Sequence, residues 1–246
     1  MAPPSVADAA SRPALASPPA AFVDRRTGAP AFGSYEGPLP AVDLGGRGVF
    51  ARVARRKRWV YVAVSASDVW IAFAVVRTGY AATAFAFAYD LRTRRMLLDG
   101  TTLGPAIAAR VADDPHRPGP LARFRLGRRV VAIDTAAGGA LILHLRLGEL
   151  ELDAELDPAG APPALSVIAD LGAGLVDATE KRALFAARGR ARCAGRELSL
   201  DGGVGGYDYT HGLLPRHTRW RWAFAMGRAE DGAPLALNLA EGFVGG

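Results

Sequence analysis

The sequence predicts an all-β protein built from two consecutive antiparallel sheet systems, each a barrel or a sandwich. Short apolar runs recur at intervals of roughly 8–12 residues with turn residues between them, a spacing typical of all-β folds. The 29 glycines and 17 prolines fall largely between these runs, which favours many turns. No long helical periodicity competes with this pattern, so we expect strands to build the core.

The predicted elements begin after an N-terminal tail. Residues 1–21 are rich in Ala, Pro and Ser, and we expect them to be disordered. Strands are predicted over 59–64, 69–76 and 80–91. In the last of these, three aromatic residues alternate with alanines, so a strand places all three rings on one face of its sheet. These rings belong to Phe85, Phe87 and Tyr89.

A regular hairpin is predicted over residues 141–156, where leucines alternate with polar residues. With Gly148 and Glu149 as the turn, Arg146 faces Glu151 and His144 faces Asp153 on the solvated side of the sheet. This alternation explains the row of carboxylates without a metal ion. We therefore predict no metal site.

Residues 157–163 break the strand pattern and are predicted to link two domains. The first domain is predicted over 22–157 and the second over 164–246. In the second, 165–171 has the composition of a strand and 172–179 that of a loop. Over 181–193, periodicity does not decide between strand and helix.

The C-terminal part predicts a hairpin with one aromatic face. By alternation, one face carries Thr218, Trp220, Trp222, Phe224 and Met226. The dipeptide Asp231-Gly232 predicts a two-residue turn, which places Trp222 opposite Glu241. Glu241 would then lie among the rings, where desolvation would raise the pKa of its carboxyl and suit it to act as a general acid. In the alternative, Glu241 lies at the strand end, where it pairs with an arginine or leaves the sheet at Gly242.

Further polar residues precede this hairpin. Asp208 and His211 lie close to a predicted turn at 212–215, where they could form an acid–base pair. Equally, Asp208 could fix the turn through backbone N–H groups while His211 is exposed. The candidate catalytic residues are thus Asp208, His211 and Glu241. The candidate ligand-binding residues are Trp220, Trp222, Phe224, Arg216 and Asn238, with Asn238 on the opposite face from the rings, beside Ala223 and Ala225.

Composition excludes several kinds of site. The net charge of +6 comes from scattered arginines, with Lys57 and Lys181 the only lysines, so we predict no nucleic-acid partner. The single cysteine, Cys193, rules out an intrachain disulfide and a cysteine-based metal centre, and no cofactor is predicted. His116, in a proline-rich stretch, is expected to be solvated. No apolar run is long enough for a membrane-spanning helix and no secretory signal is evident, so we expect a cytoplasmic protein.

Several of these segments resemble one family. They are 208–216, 220–223, 237–239 and 241–243, with 57–61 and 80–90 in the first half. They are similar to the uncharacterised bacterial domain-of-unknown-function family 2804, and the resemblance covers most of the chain beyond Phe22. It implies no established activity. Members of that family continue beyond the Asn-Leu-x-Glu-Gly-Phe motif, so we expect the second sheet system to lack its last strands and to leave an edge prone to association.

More distantly, the family is similar to lipocalin-like two-barrel proteins, which include carotenoid hydratases. That similarity implies a cavity for an apolar ligand. The leading hypothesis is therefore binding of a hydrophobic small molecule, lipid-like or isoprenoid-like, in a β-barrel cavity. One alternative is an enzyme of the hydratase or isomerase kind that uses carboxylates on an apolar substrate. Another is a non-catalytic structural or interaction domain.

Overall fold

The computed structural model describes residues 14–45, 48, 53–66 and 68–242. Sixteen β-strands are present in this part of the chain. Residues 1–13 of the predicted tail lie outside it. The strands are β1 (Gly33–Glu36), β2 (Arg56–Ala66), β3 (Val69–Arg77), β4 (Ala81–Asp90), β5 (Arg95–Pro105), β6 (Ala109–Val111), β7 (Gly119–Leu126), β8 (Arg129–Thr135), β9 (Leu141–Leu147), β10 (Leu150–Asp157), β11 (Leu165–Asp170), β12 (Val176–Cys193), β13 (Arg196–Ser199), β14 (Gly203–Leu213), β15 (Arg221–Arg228) and β16 (Pro234–Glu241).

Fourteen of these strands form one large antiparallel sheet, and β15 and β16 form a small second sheet. The main path of the large sheet runs β5-β4-β3-β2-β14-β12-β10-β9-β8-β7-β6. A short 3₁₀ helix, Ala106–Ala108, joins the two end strands of this path, so the sheet curls into a nearly closed, barrel-like shape. The predicted all-β class with two antiparallel sheets is confirmed.

Residues 157–163, the predicted link between two domains, do not mark the change from the large sheet to the small one. Strands β10 and β12, on either side of that segment, are hydrogen-bonded neighbours in the large sheet. Strand β14 then pairs with β2, so residues of the predicted second domain close the sheet begun by the first. The change of sheet falls between β14 and β15, at residues 214–220. The domain bounds 22–157 and 164–246 stay predictions.

The inner face of the large sheet holds the main core, which is largely aliphatic. Strand β4 shows how the sequence divides the two faces. Its alanines Ala82, Ala84, Ala86 and Ala88 are almost fully buried inside, while Phe85 and Phe87 point outward. The prediction that the rings share one face is confirmed. Because that face is covered by the β15–β16 hairpin, the outward rings are also partly shielded from water.

The hairpin of β9 and β10 has the predicted register. Leu147 pairs with Leu150, Arg146 with Glu151, and His144 with Asp153. The leucines point into the core and are buried. His144 and Asp153 are hydrogen-bonded on the outer face, as expected for complementary cross-strand side chains.

Strand β12 differs from its prediction. It begins at Val176, so the predicted loop at 172–179 is wrong over its second half, and the chain is extended over all of 181–193. A β-bulge interrupts its register with β14 between Arg182 and Phe185, and Leu184 there has a φ of 64°. The strand pairs with β10 and β11 on one edge and with β14 on the other. These pairings stabilise the extended conformation although the local sequence has only weak periodicity.

Strand β14 requires glycine where it passes β12. A Cβ on Gly206 would lie 2.4 Å from the carbonyl oxygen of Arg182 and 3.0 Å from the ring of Phe224. We expect Gly206→Ala to lower the free energy of unfolding by about 1–3 kcal/mol through overpacking. Chemical denaturation would measure this loss. The matched control is Gly227→Ala in β15, where a Cβ meets nothing within 4 Å and the change should be near zero. Equal effects at both positions would contradict the close approach.

The hairpin of β15 and β16 is shifted by one residue from the predicted register. Asp231 and Gly232 lie within a five-residue connection closed by the Ala229 N–H, which donates to the Ala233 carbonyl at 2.8 Å. Arg221 therefore pairs with Glu241, and Trp222 with Ala240. A shift of one residue exchanges the two faces of a strand. The predicted position of Glu241 among the rings is thus wrong.

Candidate functional site

A cavity of about 810 Å³ lies between the outer face of the large sheet and the β15–β16 hairpin. Strands β2, β3 and β4 supply one wall, β12 and β14 supply a second, and the hairpin covers them. Eight aromatic side chains line it: Trp59, Tyr61, Trp70, Phe85, Phe87, Trp220, Trp222 and Phe224. This cavity is outside the barrel-like sheet, whereas the predicted ligand cavity was inside a barrel.

The rings form a connected cluster across the two sheets. Tyr61 meets Trp222 edge-on with ring centroids 4.8 Å apart, and Trp222 stacks on Phe224 at 5.8 Å. Phe224 also meets Trp70 edge-on at 6.0 Å. Offset and edge-on contacts of this kind are the favourable geometries for aromatic pairs. Burial raises the pKa of Tyr61 to about 12, so its hydroxyl is neutral at physiological pH.

Lys57 holds the connection that leads into the hairpin. Its Nζ donates to the carbonyl oxygens of Pro215 at 2.8 Å and Arg216 at 3.2 Å, and to Thr218 Oγ1 at 2.7 Å. Burial, followed by the charge of Arg55, lowers the pKa of this lysine. Trp220 follows this connection and stacks on Trp59 at 5.7 Å with nearly parallel rings. Lys57 therefore positions one aromatic edge of the cavity.

Strands β12 and β14 carry polar side chains that face the rings across the cavity. This polar wall includes Thr179, Lys181, Asp208 and Thr210. Lys181 forms a close ion pair with the buried carboxylate of Asp208. Thr210 donates its hydroxyl to Thr179 Oγ1 at 3.2 Å, and Thr179 donates to the Tyr209 carbonyl at 2.9 Å. Burial raises the pKa of Asp208, and the neighbouring Lys181 opposes that rise. These four side chains all line the cavity.

Asp177 completes the polar wall and, unlike Asp208, forms no ion pair with any of the described residues, although the charge of Lys181 partly lowers its pKa. It is 2 % exposed, and its Oδ1 has no hydrogen-bond partner. Burial, with a further contribution from the charge of Asp208, raises the pKa of Asp177 to about 7. A buried carboxyl that titrates near neutral pH and lines a cavity is characteristic of functional sites. It can hold or release a proton under ordinary conditions.

The structure brings together four of the eight predicted site residues. Asp208, Trp220, Trp222 and Phe224 all line the cavity. Asn238 lies against them, because its Oδ1 accepts a hydrogen bond from Trp222 Nε1 at 2.8 Å. It pairs with Phe224 across the hairpin, so its predicted place beside Ala223 and Ala225 is wrong. Its buried amide also faces the Asp208 carboxylate and helps to lower the pKa of that group.

The other three predicted site residues lie elsewhere. His211 belongs to β14 rather than to a turn, and it points to the inner face, opposite to Asp208. It is fully buried and accepts a hydrogen bond from Arg56 Nε at 2.9 Å. Burial and the charges of Arg56 and Arg58 hold the pKa of His211 well below its usual value. Asp208 and His211 therefore do not form an acid–base pair.

Glu241 and Arg216 are both exposed. Glu241 is the last residue of β16 and pairs with Arg221 at 3.2 Å on the outer side of the hairpin, so the alternative of a strand-end position paired with an arginine is the correct one. The side chain of Arg216 does not line the cavity, although its carbonyl accepts from Lys57.

Several polar residues that line the cavity were not among the predicted site residues, including three on β12: Asp177, Thr179 and Lys181. They recur at every second position, as Asp208 and Thr210 do on the neighbouring strand. This period of two was present in the sequence, but it was short and bordered by glycines, so the segment had the composition of a loop.

His116 also differs from its prediction. Its Nε2 lies 2.7 Å from Glu180 Oε2, and Glu180 is fully buried on the inner face of β12. The same carboxylate accepts hydrogen bonds from the Leu39 backbone N–H at 2.6 Å and from the Tyr207 hydroxyl. His116 therefore belongs to a buried structural network rather than to a solvated loop.

The model of one protein family matches the chain. It is described as Domain of unknown function (DUF2804), and it matches residues 21–246. The chain belongs to this family. The predicted membership is thus confirmed. No curated protein matches the chain at a significant level.

Three solved structures are similar in fold. A putative AttH from Nitrosomonas europaea is 13% identical, with a TM-score of 0.48, over 82% of this chain and 72% of that one. Kievitone hydratase from Nectria haematococca is 11% identical, with a TM-score of 0.49, over 84% and 69%. CghA with Sch210972 is 11% identical, with a TM-score of 0.48, over 94% and 68%. Similarities of this size carry no information about function.

Two features of the described residues bear on membranes and metal ions. None of the helices found there has the length and apolar character needed to cross a bilayer. No group of three or more His, Cys, Asp or Glu side chains in the same residues is placed to hold a metal ion.

Proposed function

We propose that this protein binds a hydrophobic small molecule in the cavity between its two sheets. The observation that carries this proposal is the set of eight aromatic rings around a space of about 810 Å³. Ligand pockets commonly enclose about 300–1,000 Å³ and combine an apolar lining with a few polar groups. The cavity has both properties, since one wall carries Asp177, Lys181 and Asp208.

The energetics favour an apolar occupant. Each square ångström of apolar surface removed from water contributes about 25 cal/mol. A molecule that fills the space between the rings of Tyr61, Trp70 and Trp222 would bury most of its surface against carbon. No part of the aromatic lining carries a charge that would have to be desolvated on binding.

A neutral fluorescent dye such as Nile red tests the proposal. We expect saturable binding with an emission shift to the blue, together with a change in tryptophan fluorescence. Phe224→Ala removes a ring that contacts three others and should weaken dye binding by about tenfold or more, since each 1.4 kcal/mol corresponds to a factor of ten.

The matched control is Leu237→Ala on the same hairpin. Leu237 is 48% exposed and points away from the cavity, so its truncation should leave dye affinity within about twofold of wild type. Equal losses in both variants, or the lack of saturable binding by the wild-type protein, would refute the proposal.

The second candidate is an acid–base enzyme of the hydratase or isomerase kind acting on an apolar substrate. It is favoured by Asp177, whose carboxyl lines the cavity and has its pKa raised to about 7. Such a group can donate a proton and take one back at neutral pH. Asp208, held as an ion pair by Lys181, would orient the polar end of the substrate.

The two candidates make different predictions for Asp177→Asn. Amide and carboxyl have nearly the same size, so dye binding should persist in this variant. Any turnover of an apolar alkene or alcohol should fall by at least about a hundredfold if Asp177 transfers the proton. A cytoplasmic location and the lack of a nucleic-acid partner stay predictions.

A further inference from the structure

We propose that the ligand of this cavity carries an uncharged oxygen, a hydroxyl or a carbonyl, which binds to Asp177. The inference rests on the proposed function and narrows the class of ligand. It starts from the unpaired Oδ1 of Asp177, a buried polar atom in the cavity wall. Leaving such an atom without a partner is costly, because its hydration is lost and not replaced. A ligand oxygen at this place supplies the missing partner.

The position of Asp177 on the sheet indicates that its missing hydrogen-bond partner is a ligand atom in the cavity. Its β12 neighbours on the same face, Thr179 and Lys181, also line the cavity. Thr179 is hydrogen-bonded to Thr210 and to the Tyr209 carbonyl, and Lys181 is paired with Asp208. The polar wall is therefore satisfied except at Asp177.

The charges of the wall favour an uncharged group. Lys181 is balanced by Asp208, and Asp177 is neutral when it keeps its proton. The cation of Lys57, which also lines the cavity, donates to two backbone carbonyl oxygens and to the Thr218 hydroxyl. An amine would require Asp177 to be ionised in a buried place, and it would be repelled by the cation of Lys181, four residues further along the same face of β12. A carboxylate ligand would add a negative charge next to Asp208 and Asp177. A hydroxyl or carbonyl avoids both costs.

The donor and acceptor capacities also match. A protonated carboxyl offers one O–H donor and a carbonyl acceptor, so it can bind a hydroxyl in either direction or donate to a carbonyl. Lys181 has three N–H donors, of which one is used by Asp208. A ligand oxygen between Asp177 and Lys181 could accept from the lysine as well.

Competition against Nile red separates the possible ligand classes. The competitors are 1-decanol, decylamine, decanoate and decane, which share a chain length and differ in the end group. At pH 6 we expect decanol to displace the dye at a concentration about tenfold lower than any of the other three. In Asp177→Leu, decanol should lose that advantage and displace the dye no better than decane, with each competitor's affinity calculated from the dye affinity measured in the same variant.

Two control variants show whether a loss of decanol affinity in Asp177→Leu comes from the missing hydrogen-bonding group. Asp177→Asn retains a hydrogen-bonding group and should keep decanol affinity within about threefold of wild type. Asp99→Leu removes an exposed carboxylate on β5 and should change nothing. Tightest binding of decylamine or decanoate, or undiminished decanol affinity in Asp177→Leu, would overturn the inference. A failure of the dye itself to bind would instead refute the proposed function.

Discussion

Raising the pH from 4 to 7 should lower the free energy of unfolding by about 3 kcal/mol through Asp177 alone. Its pKa is raised from an ordinary 3.8 to about 7 in the folded protein. The folded state therefore holds a proton that the unfolded state has released across this range. Stability falls with pH wherever the folded state binds more protons, and one pKa unit corresponds to about 1.4 kcal/mol.

Comparison with Asp177→Asn isolates this contribution from other titrating groups. The variant cannot ionise, so it should match wild type near pH 4 and become more stable than wild type as the pH approaches 7. Urea denaturation at several pH values measures the difference. Asp99→Asn, which changes an exposed carboxylate, should run parallel to wild type. A constant offset between wild type and Asp177→Asn at every pH would show that the pKa of Asp177 is the same in the folded and unfolded states, and would contradict the prediction.

The fold class follows from the sequence because alternation is a local property. Leucines at every second position predicted the β9–β10 hairpin and its register correctly. The rings of Phe85 and Phe87 were also assigned to one face. Alternation does not say which face meets the barrel interior, since both faces of β4 are apolar. The alanines face inward because the second sheet covers the ring side, and that cover is known only from the tertiary structure.

The error at the second hairpin has a simple physical cause. The Asp231-Gly232 pair predicted a two-residue turn, and Gly232 does adopt a positive φ of 82°. The connection is nevertheless five residues long, which changes the register by one residue. Since strand faces alternate, this single step moved Glu241 from the rings to water and brought Asn238 to the rings.

Asp208 lines the cavity, but its partners there are not the predicted ones. Asp208 was selected because of its nearness to His211, but the two point to opposite faces of one strand. Its actual partners, Lys181 and Thr179, lie about 30 residues earlier and meet it only through the pairing of β12 and β14. Contacts of this kind depend on strand order, which alternation in one sequence does not determine.

Removal of Lys181 should destabilise the protein by about 3–5 kcal/mol at neutral pH, because it leaves the carboxylate of Asp208 buried without a counter-ion. Lys181→Met keeps the length and the apolar stem of the side chain, so packing is largely preserved. The loss should shrink at lower pH, where Asp208 takes up a proton. Chemical denaturation at pH 5 and pH 7.5 measures both effects.

A double variant and a surface control test the cause. Asp208→Asn in the Lys181→Met background removes the unpaired charge and should recover most of the lost stability. Arg221→Met breaks the exposed pair with Glu241 on the hairpin, and exposed pairs contribute at most about 1 kcal/mol. If Lys181→Met costs no more than Arg221→Met, the polar wall is well hydrated, and Asp177 beside it would also titrate near its ordinary pKa. The stability of this ion pair therefore decides whether the cavity wall is dry enough to hold a neutral carboxyl for a ligand.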